Sequence, residues 1–272
     1  MSSALENPAT CFLTIVLPAY NEAERLPKSL PQIIKFVECQ DYSIEVLIVD
    51  DGSVDQSVEI VREFQKEAPC ISLLQAPHGG KGHAVKAGML QAKGEYLFLC
   101  DADLSMPIEE VSKFLPPVLN NYDVAIASRE IEGSQRHDEP AYRHLMGRVF
   151  NLIVRLLAVH GLQDTQAGFK CFRREVARQL FPLQTINGWG FDVEILFIAQ
   201  HRGFRVVEVP INWHYRSESK VRPIQDTYNM LREIFKVRSN AWRGLYREPK
   251  SSNGTKTSQV DDSSEKTIFS ES

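Results

Sequence analysis

The chain has 272 residues, of which 43% are apolar and 24% charged, and its formal net charge is −4. This length and apolar content allow a full hydrophobic core, which indicates one α/β domain with appendages and a chain long enough to be an enzyme. The negative net charge argues against a general nucleic-acid binder, because such domains are usually strongly basic. We therefore expect no nucleic-acid partner.

The cysteines and the apolar runs indicate the cellular setting. The five cysteines are scattered and lack CxxC spacing, so they indicate neither a disulfide framework nor a zinc site, and they fit a reducing, cytoplasmic setting. No run approaches the roughly 18 apolar residues of a membrane-spanning helix, and the first residues lack the order of a signal peptide. We expect no transmembrane segment, which still allows the chain to lie on a membrane.

Short apolar runs alternate with helical patterns in the first half of the chain. The apolar runs predict strands at 12–17, 44–49, 71–74, 96–100 and 124–127. The spacing of apolar residues predicts helices at 22–37, 54–66, 82–91 and 108–119. This repeated β-α order predicts a mostly parallel central sheet flanked by helices, and such sheets bind ligands beyond the carboxyl ends of their strands.

The pair Asp101 and Asp103 follows the apolar run at 96–100. Two carboxylates spaced i and i+2 at the exit of a strand can supply oxygen ligands to one hard divalent cation, which can hold a diphosphate. The same spacing also occurs in loops that only cap the next helix. Loops at 18–22 and 50–53 also follow predicted strands, so three loops are expected to converge on one crevice, which favours a binding site.

A glycine-rich run, HGGKGH at 78–83, precedes a predicted helix. It lacks the GxxxxGK[ST] order of a Walker loop, and no GxGxxG dinucleotide fingerprint follows the first strand. Its glycines allow close backbone approach, so Lys81 and the N-terminus of the helix can meet a phosphate. A plain tight turn is the alternative interpretation.

Several motifs, taken in order, resemble a known family. They are IVLPAYNEAERLP, VLIVDDGSVDQS, GGKGHAVKAGMLQAKGEYLFLCDADLS, DVAIASRE, LQDTQAGFKCF, GWGFDVEIL and VPINWHYRSESKV. They resemble the family 2 glycosyltransferases, and within them the dolichyl-phosphate β-glucosyltransferases and the dolichol-phosphate mannosyltransferases, over about residues 10–245. The resemblance implies a GT-A fold that binds a nucleotide sugar, and transfer of a hexose to a polyprenyl or dolichyl phosphate.

The resemblance also implies roles for individual residues. The nucleotide base and ribose are framed by Pro18, Tyr20, Glu22, Asp50 and Asp51. The diphosphate is bound by Lys81 and by Mg²⁺ or Mn²⁺ on Asp101 and Asp103. The lipid phosphate faces Arg129, Arg143 and Arg216, and the sugar lies near Asp164, Asp192 and Glu194. The alternatives are a loop cap for Asp164, a first-turn acid for Asp192, and arginines that only pair with neighbouring acids.

The implied acceptor determines the mechanism. A phosphomonoester has a second pKa near 6, so it is mostly dianionic at pH 7 and needs no strong general base. The protein then has to neutralise charge on the leaving diphosphate and to hold an anionic nucleophile against an anionic donor. In-line attack at the anomeric carbon inverts its configuration, which gives a β-linked sugar from an α-linked donor.

The second half of the chain indicates a membrane surface as a partner. Residues 202–250 contain eleven Lys and Arg against five Asp and Glu. Helical patterns at 142–159 and 226–246 combine an apolar stripe with basic residues, as an interfacial helix requires. Trp242 and Tyr246 suit an interface and favour the second pattern, although each pattern also fits a core-facing helix with one solvated side. We expect peripheral attachment at the cytoplasmic face of a membrane.

The sequence predicts the domain boundaries and leaves more than one function open. We expect a flexible N-terminus at 1–10, a GT-A domain at 11–248 ending in an amphipathic helix, and a disordered tail at 249–272. UDP-glucose is preferred as donor, because HGGKGHAVKAG and GWGFDVEIL look nearer to the glucosyltransferases. The alternatives are a GDP-mannose-dependent mannosyltransferase, a transferase with a soluble acceptor, a binding protein without catalysis, and a nucleotidyltransferase. The intact Asp101 and Asp103 argue against the third, and PAYNEAERLP after the first strand argues against the fourth.

Overall fold

A computed structural model describes residues 11–215 and 223–247 of the chain. The strands are β1 (Leu13–Ala19), β2 (Ile44–Asp50), β3 (Ile71–Gln75), β4 (Tyr96–Leu99), β5 (Val124–Ser128), β6 (Gln135–His137), β7 (Lys170–Arg173), β8 (Val206–Pro210) and β9 (Asn212–His214). The α-helices are α1 (Leu26–Glu38), α2 (Ser57–Glu67), α3 (Lys81–Gln91), α4 (Ala141–Leu157), α5 (Arg174–Leu180), α6 (Phe191–His201) and α7 (Pro223–Trp242). Short 3-10 helices span Ile108–Phe114 and Phe181–Leu183. The expectations for 1–10 and 249–272 lie outside the described residues.

The main sheet has the strand order β3-β2-β1-β4-β7-β5-β8. Its strand pairs are parallel except those of β7, which runs antiparallel to both β4 and β5. The carboxyl ends of β1, β2, β4 and β5 therefore meet at one edge, together with the beginning of β7. The predicted α/β fold, with a mostly parallel central sheet flanked by helices, is confirmed.

Helices cover both faces of the sheet, which explains why its central strands are apolar throughout. Along β1, Leu13, Ile15 and Leu17 pack into one core cluster, while Val16 packs into the cluster on the opposite face. Helices α1 and α2 contribute to the first cluster and α3 to α7 contribute to the second. A parallel sheet buried on both faces requires such near-continuous apolar strands, and it holds the loops at its carboxyl edge in fixed positions.

One predicted helix differs in type and length. The pattern at 108–119 forms a 3-10 helix that ends at Phe114. Prolines at 107, 116 and 117 flank this segment. Because proline has no N–H group and clashes with the preceding helical turn, these prolines prevent the helical pattern from extending to residue 119.

The two helices predicted in the second half are present as α4 and α7. Phe150 and Val154 of α4 are buried in the core, and α7 contributes Met230, Ile234 and Val237. Trp242 is 88% exposed at the end of α7, whereas Tyr246 is fully buried beyond it. The expectation that Tyr246 suits an interface is therefore wrong. Within the described ranges, no helix is long and apolar enough to cross a bilayer.

Candidate active site

A cavity of about 950 Å³ opens at the carboxyl edge of the sheet. The loops after β1 and β4 both contribute to it, and β1 is where the strand order reverses, which is the usual ligand position in open α/β sheets. The sequence-predicted site residues that line it are Pro18, Tyr20, Glu22, Asp51, Lys81, Asp101, Asp103, Arg129 and Asp192. The structure thus brings the three loops identified in the sequence into one cavity.

An ion pair lies at the base of this cavity. Lys81 Nζ is 2.7 Å from Oδ1 of Asp101. Burial alone raises the pKa of Asp101, but the positive charges of Lys81, Lys170 and Arg25 together outweigh it, with Lys81 foremost, and hold this pKa below its usual value. Burial likewise lowers the pKa of Lys81, and the carboxylates of Asp101, Asp192 and Asp103 together outweigh it, so this pKa is raised. Both side chains are therefore charged near neutral pH.

Asp103 lies next to this ion pair in the cavity wall. Its Oδ1 accepts a hydrogen bond from the Ser105 N–H at 3.0 Å. Among the residues that the structure describes, no group of three or more His, Cys, Asp or Glu side chains is arranged to hold a metal ion. Asp101 and Asp103 nevertheless fit Mg²⁺ or Mn²⁺, because such ions often take only one or two protein carboxylates and complete their coordination with phosphate oxygens and water.

The beginning of β7 packs against the same carboxylate. A Cβ atom at Gly168 would overlap with Oδ2 of Asp101, so only glycine fits here without displacing that side chain. Lys170 follows and is 1% exposed; its Nζ donates to Ala167 O at 2.6 Å and lies 2.8 Å from Oδ1 of Asp192. The sequence pattern singled out neither Gly168 nor Lys170, because β7 was not predicted.

Asp192 reaches the cavity from the first turn of α6. Its burial raises the pKa of its carboxyl group, and the positive charges of Lys170 and Lys81 oppose that shift without cancelling it. We call the set Lys81, Asp101, Asp103 and Asp192 the polar floor. It combines three carboxylates with one cavity-lining lysine, so it can hold a cationic or polyhydroxylated group but would repel a bare anion.

Asp51 holds the glycine-rich loop in place, and the backbone N–H groups of this loop donate to its carboxylate. Its Oδ1 accepts the Gly79 N–H at 3.0 Å and its Oδ2 accepts the Gly80 N–H at 2.8 Å. The ring nitrogens of His78 and His83 lie 2.8 Å and 3.3 Å from the same carboxylate. Asp51 is almost fully buried, so its carboxylate is largely occupied by the protein itself.

The first amides of α3 are also occupied. The carbonyl oxygen of Asn187 accepts the N–H groups of Gly82 and His83 at 2.7 Å and 3.3 Å, and Gln184 Nε2 donates to Gly82 O at 2.8 Å. The expectation that this helix N-terminus meets a phosphate therefore fails for these amides. The Lys81 ammonium faces the cavity, which His78 and Gly80 of the same loop also line. No local pattern could reveal Asn187, because it lies about a hundred residues along the chain.

Asp164 forms a bidentate ion pair with Arg129. Arg129 Nε and Nη2 donate to the two carboxylate oxygens at 2.7 Å and 3.0 Å, and the Arg129 backbone N–H donates at 3.1 Å. Burial raises the pKa of Asp164, but the Arg129 guanidinium and the backbone N–H groups of Arg129 and Gln166 together outweigh it and lower this pKa to about 2. Arg129 lines the cavity, while Asp164 lies behind it. The structure therefore differs from the expectation that Asp164 lies near the sugar.

Glu194 is likewise removed from the cavity. It is fully buried, and its carboxylate accepts hydrogen bonds from Thr185 N, Thr185 Oγ1, Ile186 N and Tyr246 OH at 2.7–2.9 Å. Four donors leave no free position on this carboxylate, so Glu194 holds the loop before α6. The expectation of a sugar-facing Glu194 is corrected by this arrangement.

Of the predicted base-and-ribose residues, Pro18, Tyr20, Glu22 and Asp51 line the cavity, and Asp50 does not. Tyr20 stacks on His78 with ring centroids 4.2 Å apart, and Glu22 pairs with Arg25 at 3.2 Å. Asp50 is buried, and its carboxylate accepts the Ser53 N–H at 3.2 Å, so it shapes the loop behind the cavity wall.

The structure describes the side chain of one of the three predicted acceptor arginines. Helix α4 carries Arg143, whose side chain is outside the described part of the structure, and Arg216 falls between residues 215 and 223. Arg129 is the described member of the set, and its guanidinium also lies 5.4 Å from the ring centroid of Trp213. The indole and Asp164 together hold the guanidinium at the cavity wall.

Helix α4 forms the other side of the cavity. Its cavity-lining apolar residues are the buried Phe150 and a set that we call the apolar wall, which consists of Tyr142, Leu145, Met146, Val149 and Ile153. Most of this surface faces outward, and Leu145 is 65% exposed. The basic residues Arg148 and Arg155 are exposed on the same helix. One cavity thus joins a charged floor to an apolar surface that continues to the outside of the protein.

Comparison with known proteins identifies the class. The chain matches the model of the family described as glycosyl transferase family 2 over residues 14–181. A dolichyl-phosphate beta-glucosyltransferase of Trichomonas vaginalis is 36% identical over 228 residues, covering 79% of this chain and 68% of the relative. The dolichyl-phosphate beta-glucosyltransferase of Homo sapiens is 32% identical over 252 residues, covering 85% of this chain and 77% of the relative.

Solved structures share the fold. Glucosyl-3-phosphoglycerate synthase from Mycobacterium tuberculosis, solved with uridine diphosphate, has a TM-score of 0.59 at 19% identity, over 89% of this chain and 83% of that one. A mannosyltransferase from Pyrobaculum calidifontis, solved with GDP-Man and Mn²⁺, has a TM-score of 0.54 at 19% identity, over 85% and 64%. The predicted GT-A fold is confirmed.

These findings place the chain in glycosyltransferase family 2, and it is a glycosyltransferase. Among its relatives, the dolichyl-phosphate β-glucosyltransferases match it over most of its length, which confirms the resemblance found in the sequence.

Proposed function

We propose that this protein transfers glucose from UDP-glucose to a dolichyl or other polyprenyl phosphate at a membrane surface, giving a β-linked lipid-phosphate sugar. The observation that carries the proposal is the continuity of the polar floor with the apolar wall in one cavity. A water-soluble acceptor has no use for an exposed apolar wall, whereas a phosphate on a long isoprenoid chain needs both surfaces. The choice of glucose as the sugar and of dolichyl phosphate as the lipid is based on the names of the relatives.

The polar floor is the proposed binding site for the diphosphate of the donor. Asp101 and Asp103 would hold Mg²⁺ or Mn²⁺, which supplies positive charge to the diphosphate as it leaves. Without a cation the three carboxylates of the floor would repel a diphosphate, so the charge of Lys81 alone does not suffice. Two of the structural neighbours were solved with Mn²⁺ and a nucleotide or nucleotide sugar, which supports this choice of cofactor.

The chain's own residues position the reactants. Lys81 neutralises part of the charge on the leaving diphosphate, and Asp192, at the start of α6, accepts hydrogen bonds from sugar hydroxyls. Arg129 presents its guanidinium to the acceptor phosphate and counters the repulsion between two anions. Its ion pair with Asp164 fixes the orientation of the guanidinium, so the phosphate approaches the anomeric carbon from the side of the apolar wall. The dianionic phosphate then attacks in line and inverts the configuration.

Helices α4 and α7 are the proposed contacts with the membrane. Both are partly buried and keep apolar side chains on their outer faces, including Leu145 of α4 and Phe235 and Trp242 of α7. The exposed basic residues of α7 are Arg232, Lys236 and Arg238, with Arg243 and Arg247 following the helix. Apolar and basic side chains on one exposed face suit the headgroup region of an anionic bilayer.

Product analysis tests the proposal directly. The full chain is incubated with a panel of radiolabelled nucleotide sugars, Mn²⁺ or Mg²⁺, and two acceptors offered together, an isoprenyl phosphate in detergent and a water-soluble phosphomonoester. We expect label in the lipid phase from UDP-glucose, in an acid-labile β-linked product. Label from GDP-mannose instead would establish the mannosyltransferase alternative. Label only on a water-soluble phosphate acceptor would contradict the lipid assignment.

A further inference from the structure

A short turn closes one side of the polar floor. We call residues 187–190 the Trp189 turn. Trp189 lines the cavity, and Lys81 Nζ lies 5.0 Å from the centroid of its indole ring. Asn187 in the same turn accepts the first amides of α3, the helix that begins at Lys81. The position of this turn therefore sets where the Lys81 ammonium lies relative to Asp101.

Helix α7 holds the Trp189 turn through Glu233. Oε2 of Glu233 accepts the N–H of Gly190 at 2.8 Å. A Cβ atom at Gly188 would lie 2.5 Å from Oε1 of Glu233, and one at Gly190 would overlap with Oε2. The turn thus wraps closely around the carboxylate from both sides.

The contact with the Glu233 carboxylate explains why residues 188 and 190 of the turn are glycines. Gly190 has φ −75° and ψ 0°, a conformation that any residue adopts, and Gly188 has no left-handed φ either. The three nearest neighbours of a Cβ at Gly188 are atoms of the Glu233 carboxylate group. A larger residue at 188 would therefore displace the Glu233 carboxylate, so it is this contact and not backbone geometry that favours glycine here.

Further contacts fix α7 against the segment before the turn. Asn240 Nδ2 donates to Thr185 Oγ1 at 2.9 Å, and Lys236 Nζ donates to Thr185 O at 3.3 Å. Beyond the helix, Tyr246 OH donates to Glu194 at 2.7 Å. Helix α7 is thereby a rigid support for this segment, and Glu233 connects that support to the part that carries Trp189.

We infer that Glu233 is a positioning residue of the polar floor: it fixes the Trp189 turn from helix α7 and so sets Lys81 beside Asp101, without itself touching substrate. The inference rests on the proposed function, because that function makes the polar floor the binding site of the donor. The inference adds that helix α7 positions the donor half of the cavity, in addition to any contact that this helix makes with a membrane.

Kinetics of four variants test the inference. Glu233→Ala should lower kcat by about tenfold or more, because the turn loses a charged hydrogen-bond acceptor, while KM for the lipid changes less than twofold. Glu233→Gln keeps an acceptor for the Gly190 N–H and should recover most of the loss. Gly188→Ala should lower kcat similarly, and the double variant Gly188→Ala/Glu233→Ala should be no worse than Glu233→Ala alone, because the two residues act through one contact. The inference would be overturned if the losses of kcat in Gly188→Ala and Glu233→Ala multiplied in the double variant. It would also be overturned if Glu233→Ala and Glu233→Gln lost kcat equally.

A spectroscopic measurement separates this inference from the proposed function. The chain has three tryptophans, so replacing Trp213 and Trp242 by Phe leaves Trp189 as the single fluorophore. In that background Glu233→Ala should increase acrylamide quenching of Trp189 about twofold, whereas Glu63→Ala, an exposed acid on α2 that pairs with Lys66, should leave it unchanged. If the wild type makes no lipid product, the proposed function fails, and this quenching result still decides on Glu233. Equal quenching in the Glu233→Ala variant and its parent would contradict the inference.

Discussion

The polar floor and the apolar wall face the same cavity but are built in opposite ways. The floor groups lie at strand ends and helix starts and are held by close contacts, as the Lys81–Asp101 pair and the packing of Gly168 against Asp101 show. The wall consists of side chains on one helix, and much of its surface is exposed. A rigid charged floor suits catalysis of one reaction, whereas an open apolar surface suits a long lipid chain without polar groups. The following predictions separate the two regions.

The largest effect is expected at the floor. Asp103→Ala should lower turnover by about a thousandfold, because a metal ion contributes several kcal/mol to charge stabilisation in the transition state. The thermal midpoint should change little, since Asp103 makes one described hydrogen bond, to Ser105 N–H. Steady-state kinetics with and without EDTA check this, and Asp41→Ala, at an exposed loop position, is the control. Full turnover in EDTA or in the variant would refute the metal role.

Arg129 lies between the two regions and should affect transfer only. Loss of its charged hydrogen bonds, worth about 1.5–3 kcal/mol each, should lower kcat/KM for the lipid phosphate by about tenfold to a few hundredfold in Arg129→Ala. Slow hydrolysis of the nucleotide sugar by water should change little, because water has no phosphate to hold. Arg62→Ala is the control, because Arg62 is an exposed arginine of α2 that bonds to Gln75 and does not line the cavity. A parallel fall in both reactions would remove the acceptor role.

Asp164 holds Arg129 from behind the cavity wall and should affect stability. Its pKa falls from 3.8 in the unfolded chain to about 2 in the folded protein, a shift that corresponds to about 2 kcal/mol. A lowered pKa stabilises the fold above pH 4, and that contribution is lost as the pH falls towards 2. Asp164→Asn should therefore lower the free energy of unfolding by about 2 kcal/mol at pH 7, and the difference should shrink between pH 5 and pH 2. Denaturant titrations over that range check this, and a constant difference would contradict it.

The basic face of α7 should have a smaller, salt-dependent effect. The wild-type chain should sediment with anionic vesicles at low salt and be released at high salt, because exposed charges are screened. Replacing Arg238, Arg243 and Arg247 by Glu should abolish the binding, with each basic residue near the surface contributing about 1 kcal/mol. Equal sedimentation of wild type and variant would show that α7 is not the attachment element.

The sequence predicted the floor better than the wall for a physical reason. Asp101 and Asp103 follow an apolar run, and strand ends of a parallel sheet must meet at one edge, so their convergence follows from local pattern. The roles of Asp164 and Glu194 depend on partners such as Arg129 and Tyr246, which lie 35 and 52 residues away along the chain. No local pattern contains such partners. The direction in which α4 presents Leu145 likewise depends on packing by Phe150 and Val154.

The dependence of transfer on acceptor chain length tests the central claim, that one cavity serves a charged donor and a lipid acceptor. Isoprenyl phosphates of increasing length share a headgroup and differ only in apolar surface. The apolar wall is about half exposed, so we expect each isoprene unit on it to bury the equivalent of about two methylenes, at about 0.8 kcal/mol each. We therefore predict that kcat/KM for the acceptor rises about tenfold with each isoprene unit that reaches the apolar wall, while KM for the nucleotide sugar stays constant. Leu145→Ser should flatten that rise. Equal kcat/KM for short and long acceptors in the wild type would contradict the account.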